Sequence, residues 1–114
     1  MNYTLQGDDF RVWYDATCAT VVFEGLLKLP SLTDYAPISS MLDASKDQNN
    51  ITMDLRKLEF LNSSGISMLS RFVVKLRHER NTHLCIQGSQ KVLWQTRSLK
   101  NLQRLMPSLS VEWD

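Results

Sequence analysis

The residues with the most chemistry in the smallest space are Leu61-Asn62-Ser63-Ser64-Gly65, a carboxamide and two hydroxyls between an apolar run and a helical pattern. Asn and Ser side chains accept hydrogen bonds from the free N–H groups of a helix start, and Gly tolerates tight backbone, so the plainest reading is a helix cap. Helix N-termini also favour anions, which brings two further chemistries into view. A phosphate-cradling loop needs several glycines and a Gly-Lys-Ser/Thr, and this loop has one Gly and no such Lys. A nucleophile elbow needs Gly-x-Ser-x-Gly, but Gly65-Ile66-Ser67-Met68-Leu69 lacks the second Gly. The histidines are His78, several turns along the helix, and His83, at the next strand, so neither is placed as a base for a serine nucleophile. Neither enzymatic pattern is met, so no enzyme activity is expected and no catalytic residue, cofactor or metal site is assigned.

The elements that must position this loop are readable on both sides of it. Residues 10–15 (FRVWYD) and 19–24 (ATVVFE) have the β-branched and aromatic content of strands, joined as a hairpin through Ala16-Thr17-Cys18. Gly25 punctuates, and 26–33, with Pro30, read as a connection. Helix is expected over about 34–46, capped by Thr33 or Asp34, with Pro37 in its first turn and Ile38, Met41 and Leu42 on its apolar side. Residues 45–50 read as polar turn. Strand 51–55 (ITMDL) leads through Lys57-Leu58-Glu59-Phe60-Leu61 to the serine loop. Ile66, Leu69, Phe72, Val73 and Leu76 then mark a helix to about Arg80. A strand over 83–87, a helix over 89–105 with Val92, Leu99, Leu102 and Leu105 on one side, Pro107 as its stop, and a strand over 108–113 complete the chain. The order β-β-α-β-α-β-α-β predicts one α/β domain over residues 1–114: a two-layer sandwich with a mostly parallel sheet and an N-terminal hairpin at its edge. Right-handed crossovers added in one direction place the helices mainly on one face, leaving the other as a potential interaction surface.

Composition agrees with this. The chain has 114 residues, 43% apolar and 22% charged, enough for one core without staples. A net charge of +1 removes the bulk electrostatic argument for nucleic acid. Two cysteines, Cys18 and Cys85, without ligand spacing, read as reduced and mostly buried thiols. Met1 to Phe10 is too polar for a signal peptide, and no apolar run is long enough to span a membrane, so a soluble cytoplasmic protein is expected. The charge is uneven: residues 1–60 carry nine acids and five bases, residues 61–114 three acids and eight bases. Those bases are Arg71, Lys75, Arg77, Arg80, Lys91, Arg97, Lys100 and Arg104, either solvated helix faces or a docking face for an acidic partner. Trp13, Trp94 and Trp113 read as core or edge packing, and Asp54 as a turn hydrogen-bonder without need of Glu59.

Ile51-Thr52-Met53-Asp54-Leu55 followed by Leu58-Glu59-Phe60-Leu61-Asn62-Ser63-Ser64-Gly65-Ile66 resembles the STAS domain of anti-sigma factor antagonists. There a strand carrying Asp-Leu runs into a Phe-hydrophobic-Asp-Ser-Ser-Gly loop and an apolar helix. The helix after Gln87-Gly88-Ser89 also looks like the family's short helix after its fourth strand. Asn62 stands where the family has Asp, Lys28 where it often has an acid, and the family's long C-terminal helix is missing from the reading. The resemblance implies a cytoplasmic bacterial regulator of transcription that works by partner switching. Ser63 would be the phosphoacceptor, phosphorylated by a partner Ser/Thr kinase of the anti-sigma factor type and restored by a serine phosphatase. Asn62, Ser63, Ser64 and Gly65 would form the partner-binding loop. The alternatives are an unphosphorylated STAS scaffold in a lipid-transport or stress-signalling assembly and, less favoured, a nucleotide-binding or hydrolytic enzyme.

Overall fold

Alternating apolar and polar side chains build the sheet, seen in a computed structural model that describes residues 3–45, 49–79 and 82–114. The strands are β1 (Tyr3–Gln6), β2 (Phe10–Asp15), β3 (Thr20–Leu27), β4 (Asn50–Leu61), β5 (His83–Gly88) and β6 (Ser110–Trp113). They lie side by side in chain order. The first three are antiparallel and β3 through β6 parallel. A 3-10 turn (Leu32–Tyr35) and helix α1 (Ala36–Ser45) cross from β3 to β4, α2 (Ser63–His78) from β4 to β5, and α3 (Leu93–Leu105) from β5 to β6. Stepwise addition of parallel strands in one direction puts these crossovers on one face, and burial agrees. Val12, Val21, Phe23, Met53 and Ile86 are fully buried on one side of the sheet with Leu42, Leu69, Val73 and Leu99 of the helices. The opposite row, Trp13–Val22–Asp54–Gln87–Glu112, is half-buried to exposed. Arg11 caps the Trp13 ring there at 4.2 Å. The two-layer α/β sandwich expected from the element order is therefore the one observed.

Several local expectations are corrected. The polar N-terminus contributes an edge strand, in which Leu5 is half-buried between exposed Thr4 and Gln6. The hairpin turn extends to Ala19, which takes a left-handed φ of 49°, so β3 starts at Thr20. Gly25 does not end β3. It sits inside the strand at φ 92°, where Leu26 N–H donates to the Asp9 carbonyl at 2.8 Å and a Cβ would collide with that oxygen. Residues 57–61 continue β4 to twelve residues, with one irregularity where Val22 faces Asp54 but Glu24 faces Lys57 and a second where Gly25 faces Leu58 but Leu26 faces Phe60. The first α-helix is preceded by the 3-10 turn, and α3 starts at Leu93, so residues 89–92 are turn and Val92 is the residue before the helix. The ends expected at Lys46 and Arg80 lie outside the described residues. The thiols are less covered than expected: Cys18 is exposed on the hairpin, and Cys85 is half-buried on the open sheet face. Burial and Glu112 push the Cys85 thiol up to about 11. Among the described residues no helix is long and apolar enough to cross a membrane.

The length of β4 decides how the starts of α2 and α3 are placed. It pairs with β5 only from Asn50 to Asp54 and then overshoots it. Asp54 accepts from the Arg56 backbone at 3.1 Å and from its guanidinium at 2.9 and 3.0 Å, as expected of a turn hydrogen-bonder. Burial raises this carboxyl, but the Arg56 bonds and charge outweigh it and hold it below the ordinary carboxylate value. Beyond the bend α3 replaces the missing strand neighbour. Gln95, fully buried, donates to the carbonyls of Leu55 at 2.6 Å and Leu58 at 3.0 Å and accepts from Ser89 N–H at 2.8 Å. Trp94 donates its indole N–H to the Leu58 carbonyl at 3.0 Å. Buried strand carbonyls need a partner, and here side chains provide it.

Candidate functional site

The serine loop is built around Asn62, which stands between β4 and α2 in an extended conformation. Its backbone N–H donates to the Leu27 carbonyl at 3.1 Å, continuing the β3–β4 pairing by one step. Its Oδ1 accepts from Gly65 N–H at 3.0 Å, the expected cap, and also from the Tyr35 hydroxyl at 2.6 Å. Its Nδ2 donates to the Leu29 carbonyl at 2.8 Å, and Leu29 N–H donates to the Tyr35 oxygen at 3.4 Å. Asn62, Tyr35 and Leu29 thus close a ring that ties the β3 connection, the 3-10 turn and the α2 start together. A carboxylate at 62 would accept the same two bonds but has no hydrogen for Leu29. The departure from the antagonist pattern at this position therefore has a structural reason.

Gly65 belongs to the same construction. A Cβ there would collide with the Leu61 side chain and come 2.9 Å from the Tyr35 oxygen, so Gly is what lets the tyrosine reach under the helix start. Tyr35 is fully buried, and that burial pushes its phenol above the usual value, against the smaller opposing effect of the Leu29 bond. Tyr35 and Leu29 are the members that sequence reading missed. An aromatic residue ahead of Pro37 carries no sequence signal for a contact 27 positions away.

The hydroxyls are left outside this ring. Ser63 is the exposed first residue of α2, and Ser64 is half-buried. Neither side chain has a hydrogen-bond partner among the described residues. Ser63, Ser64, Ser67, Ser70 and Arg71 line one open groove of about 380 Å³ with Leu32 at its edge. Ser70 is engaged, donating to the Ile66 carbonyl at 2.9 Å. All four residues expected to form the loop are thus brought together, in two roles: Asn62 and Gly65 hold, and Ser63 and Ser64 present. The groove is lined by no His, Asp or Glu, and His83 instead pairs with Ser110 at 3.0 Å. No side chain of the groove lining is a base that could activate these hydroxyls as nucleophiles. Among the described residues no cluster of His, Cys, Asp or Glu is arranged to hold a metal ion.

The basic residues of the second half do not form one face. Lys75 pairs with Asp43 at 3.2 Å and Arg77 donates to the Leu105 carbonyl at 3.2 Å. Arg71 faces the serine groove, Arg97, Lys100 and Arg104 run along α3, and Arg80 lies outside the described residues.

No protein-family model matches the sequence, and no curated protein matches it. Solved structures do match in shape. SiaC of Pseudomonas aeruginosa superposes with a TM-score of 0.73 at 11% identity, covering 99% of this chain and 95% of that one. A chain from the complex of the P. aeruginosa diguanylate cyclase SiaD with its activator SiaC gives 0.76 at 10% identity, covering 98% and 99%. An anti-sigma factor antagonist from Mycobacterium paratuberculosis gives 0.56 at 16% identity, covering 96% and 84%. Sheet order, one-sided helices and these superpositions together show that the chain has the STAS-like fold of SiaC and the anti-sigma factor antagonists.

Proposed function

We propose that residues 1–114 form one STAS-like regulatory domain that binds protein partners and is switched by phosphorylation of Ser63. The observation that carries this reading is the separation of roles at the α2 start. Ser63 is exposed and unengaged, while the backbone around it is fixed by Asn62, Tyr35 and Gly65. A phosphate there adds about −1.5 to −2 charges, and the helix dipole favours an anion at that end by roughly 0.3–1 kcal/mol, so the fold tolerates it. A partner surface fitted to a neutral hydroxyl would have to desolvate the new charge, so modification acts on binding more than on structure. The net charge of the chain would pass from +1 to about −1.

The partners in this reading are a Ser/Thr kinase and a serine phosphatase acting on Ser63, with a signalling protein as target. The resemblance to anti-sigma factor antagonists supports the first two. The fold shared with SiaC, described as the activator of a diguanylate cyclase, supports a target that is itself an enzyme.

Mass spectrometry of the chain recovered from its own cells tests the site, with phosphate expected on Ser63. Phosphate confined to Ser64, Ser67 or another residue contradicts it. Ser63→Ala is expected to bind the unmodified-state partner as the wild type does, and Ser63→Asp about tenfold or more weakly. Equal affinity of both variants would remove the switch.

A further inference from the structure

Helix α3 carries two faces of different character. Gln95, Leu99 and Leu102 turn inward and are buried. Leu93, Arg97, Lys100 and Arg104, spaced by four, three and four residues, form one outward stripe, and all four are exposed. Leu93 is 88% exposed, and Phe60, on the overshooting end of β4, is 45% exposed, the two large apolar side chains most open to solvent among the described residues. They are not scattered. One depression of about 550 Å³ lies between Phe60 on the strand and Val92, Leu93 and Trp94 at the helix start, with Lys91 and Glu59 also in its lining. A second shares Leu93 and Trp94 and runs on to Arg97. A third shares Arg97 and continues past Lys100 to Arg104. The two shared boundaries join these depressions into one groove along α3, apolar at one end and cationic at the other. A helix of this length spans about 20 Å.

The cationic end of the groove is uncompensated. Between Glu79 and Glu112 the sequence contains no Asp or Glu. Lys91, Arg97, Lys100 and Arg104 have no ion pair among the described residues, in contrast to Lys75, which Asp43 neutralises. The geometry points to a docking groove on α3 for an acidic, amphipathic segment of a partner protein, its apolar side chains seated on Phe60, Leu93 and Trp94 and its carboxylates on Arg97, Lys100 and Arg104. Charge complementarity selects this occupant. A second copy laid on the same face would set its own Arg97, Lys100 and Arg104 against these. A flat lipid surface would not fill a depression sunk between a strand and a helix. The segment would add apolar contact at one end and charge steering at the other, the usual division between affinity and encounter rate. This surface is separate from the Ser63 groove and does not depend on that reading.

A displayed library of random peptides, each long enough for about four helical turns, tests it with the full chain immobilised. Enriched peptides are expected to combine Asp or Glu with Leu, Phe or Trp. A synthetic copy should bind about tenfold or more weakly to Leu93→Ser and to the Arg97→Glu, Lys100→Glu double variant. Both variants change exposed side chains, and retained circular dichroism shows that they fold. A Lys-for-Glu version of the peptide should recover binding to the charge-reversed variant alone. Enriched peptides that are neutral or basic, or that bind both variants as tightly as the wild type, would overturn the proposal. So would a dimer in sedimentation that Leu93→Ser abolishes, since the occupant would then be a second copy. Binding to phosphatidylglycerol vesicles that is lost in the charge-reversed variant, without selection of acidic peptides, would assign the groove to lipid instead.

Discussion

The helices after β4 and β5 begin in opposite ways. At the start of α2 the residue before the helix is Asn62, whose side chain makes three hydrogen bonds, so the polar groups of the loop are used to fix its shape. At the start of α3 the corresponding residue is Val92, which offers no side-chain cap, and the first helical residue is a solvent-facing Leu93. There the fixing is done by the third helical residue, Gln95, reaching back to β4. The first arrangement leaves free hydroxyls on a rigid base. The second leaves free apolar surface. A capped start thus suits a modification, and an uncapped apolar start suits a contact.

Removing the anchor of α3 should disturb this contrast most. Gln95→Leu leaves the buried Leu55 carbonyl and Ser89 N–H without partners, and is expected to destabilise the chain by about 3–5 kcal/mol in urea unfolding. Asn62→Ala, which opens the ring at α2, should cost about 2 kcal/mol in the same measurement. Asn62→Asp should cost about 1–2 kcal/mol, because the cap survives but Leu29 faces an oxygen instead of a donor. If Asn62→Asp proves neutral, the ring does not select the amide.

Tyr35→Phe should cost about 1 kcal/mol and also change the pH profile. Burial raises this phenol in the folded chain, so its contribution is complete below the ordinary value of 10.0 and is lost as pH rises through the higher folded value. The difference in stability between wild type and Tyr35→Phe should therefore shrink in alkali, measured by unfolding at a series of pH values. Smallest of all, Ser63→Ala should lie within about 0.5 kcal/mol of wild type, since its hydroxyl has no partner among the described residues. A thiol-reactive dye at pH 8 checks the open sheet face independently: exposed Cys18 should label well before Cys85, whose thiolate is scarce with a pKa raised to about 11.

Much of the fold is legible in sequence because it is local. The strand around Ile51-Leu55, the α2 stripe from Ile66 to Leu76 and the Asn62 cap are each set by neighbours a few residues apart. The sheet order is implied by element order, since successive crossovers of one hand leave little choice. What escapes reading is non-local or compensated. Gly25 reads as a terminator because its left-handed backbone is excused by a contact with Asp9 across the hairpin. Residues 57–61 read as detached because the bend at Asp54–Arg56 breaks the strand's alternation. Tyr35 and Gln95 are polar partners recruited across 27 and 40 positions, and no spacing rule reports them.

The two irregularities in β4 have a consequence for evolution by insertion and deletion. Side chains along a strand alternate between faces, so one residue gained or lost inverts the parity of every later one. One extra residue between Asp54 and Lys57 turns Leu58 inward, and a second between Leu58 and Phe60 turns Leu61 inward and leaves Phe60 outward. Removing the first would turn Leu58 and Leu61 outward together and rotate Asn62 away from Leu29 in a single step. Both helix starts are thus clocked by the same bend, and a deletion there would erase the serine groove and the α3 groove together while leaving every residue of either one unchanged.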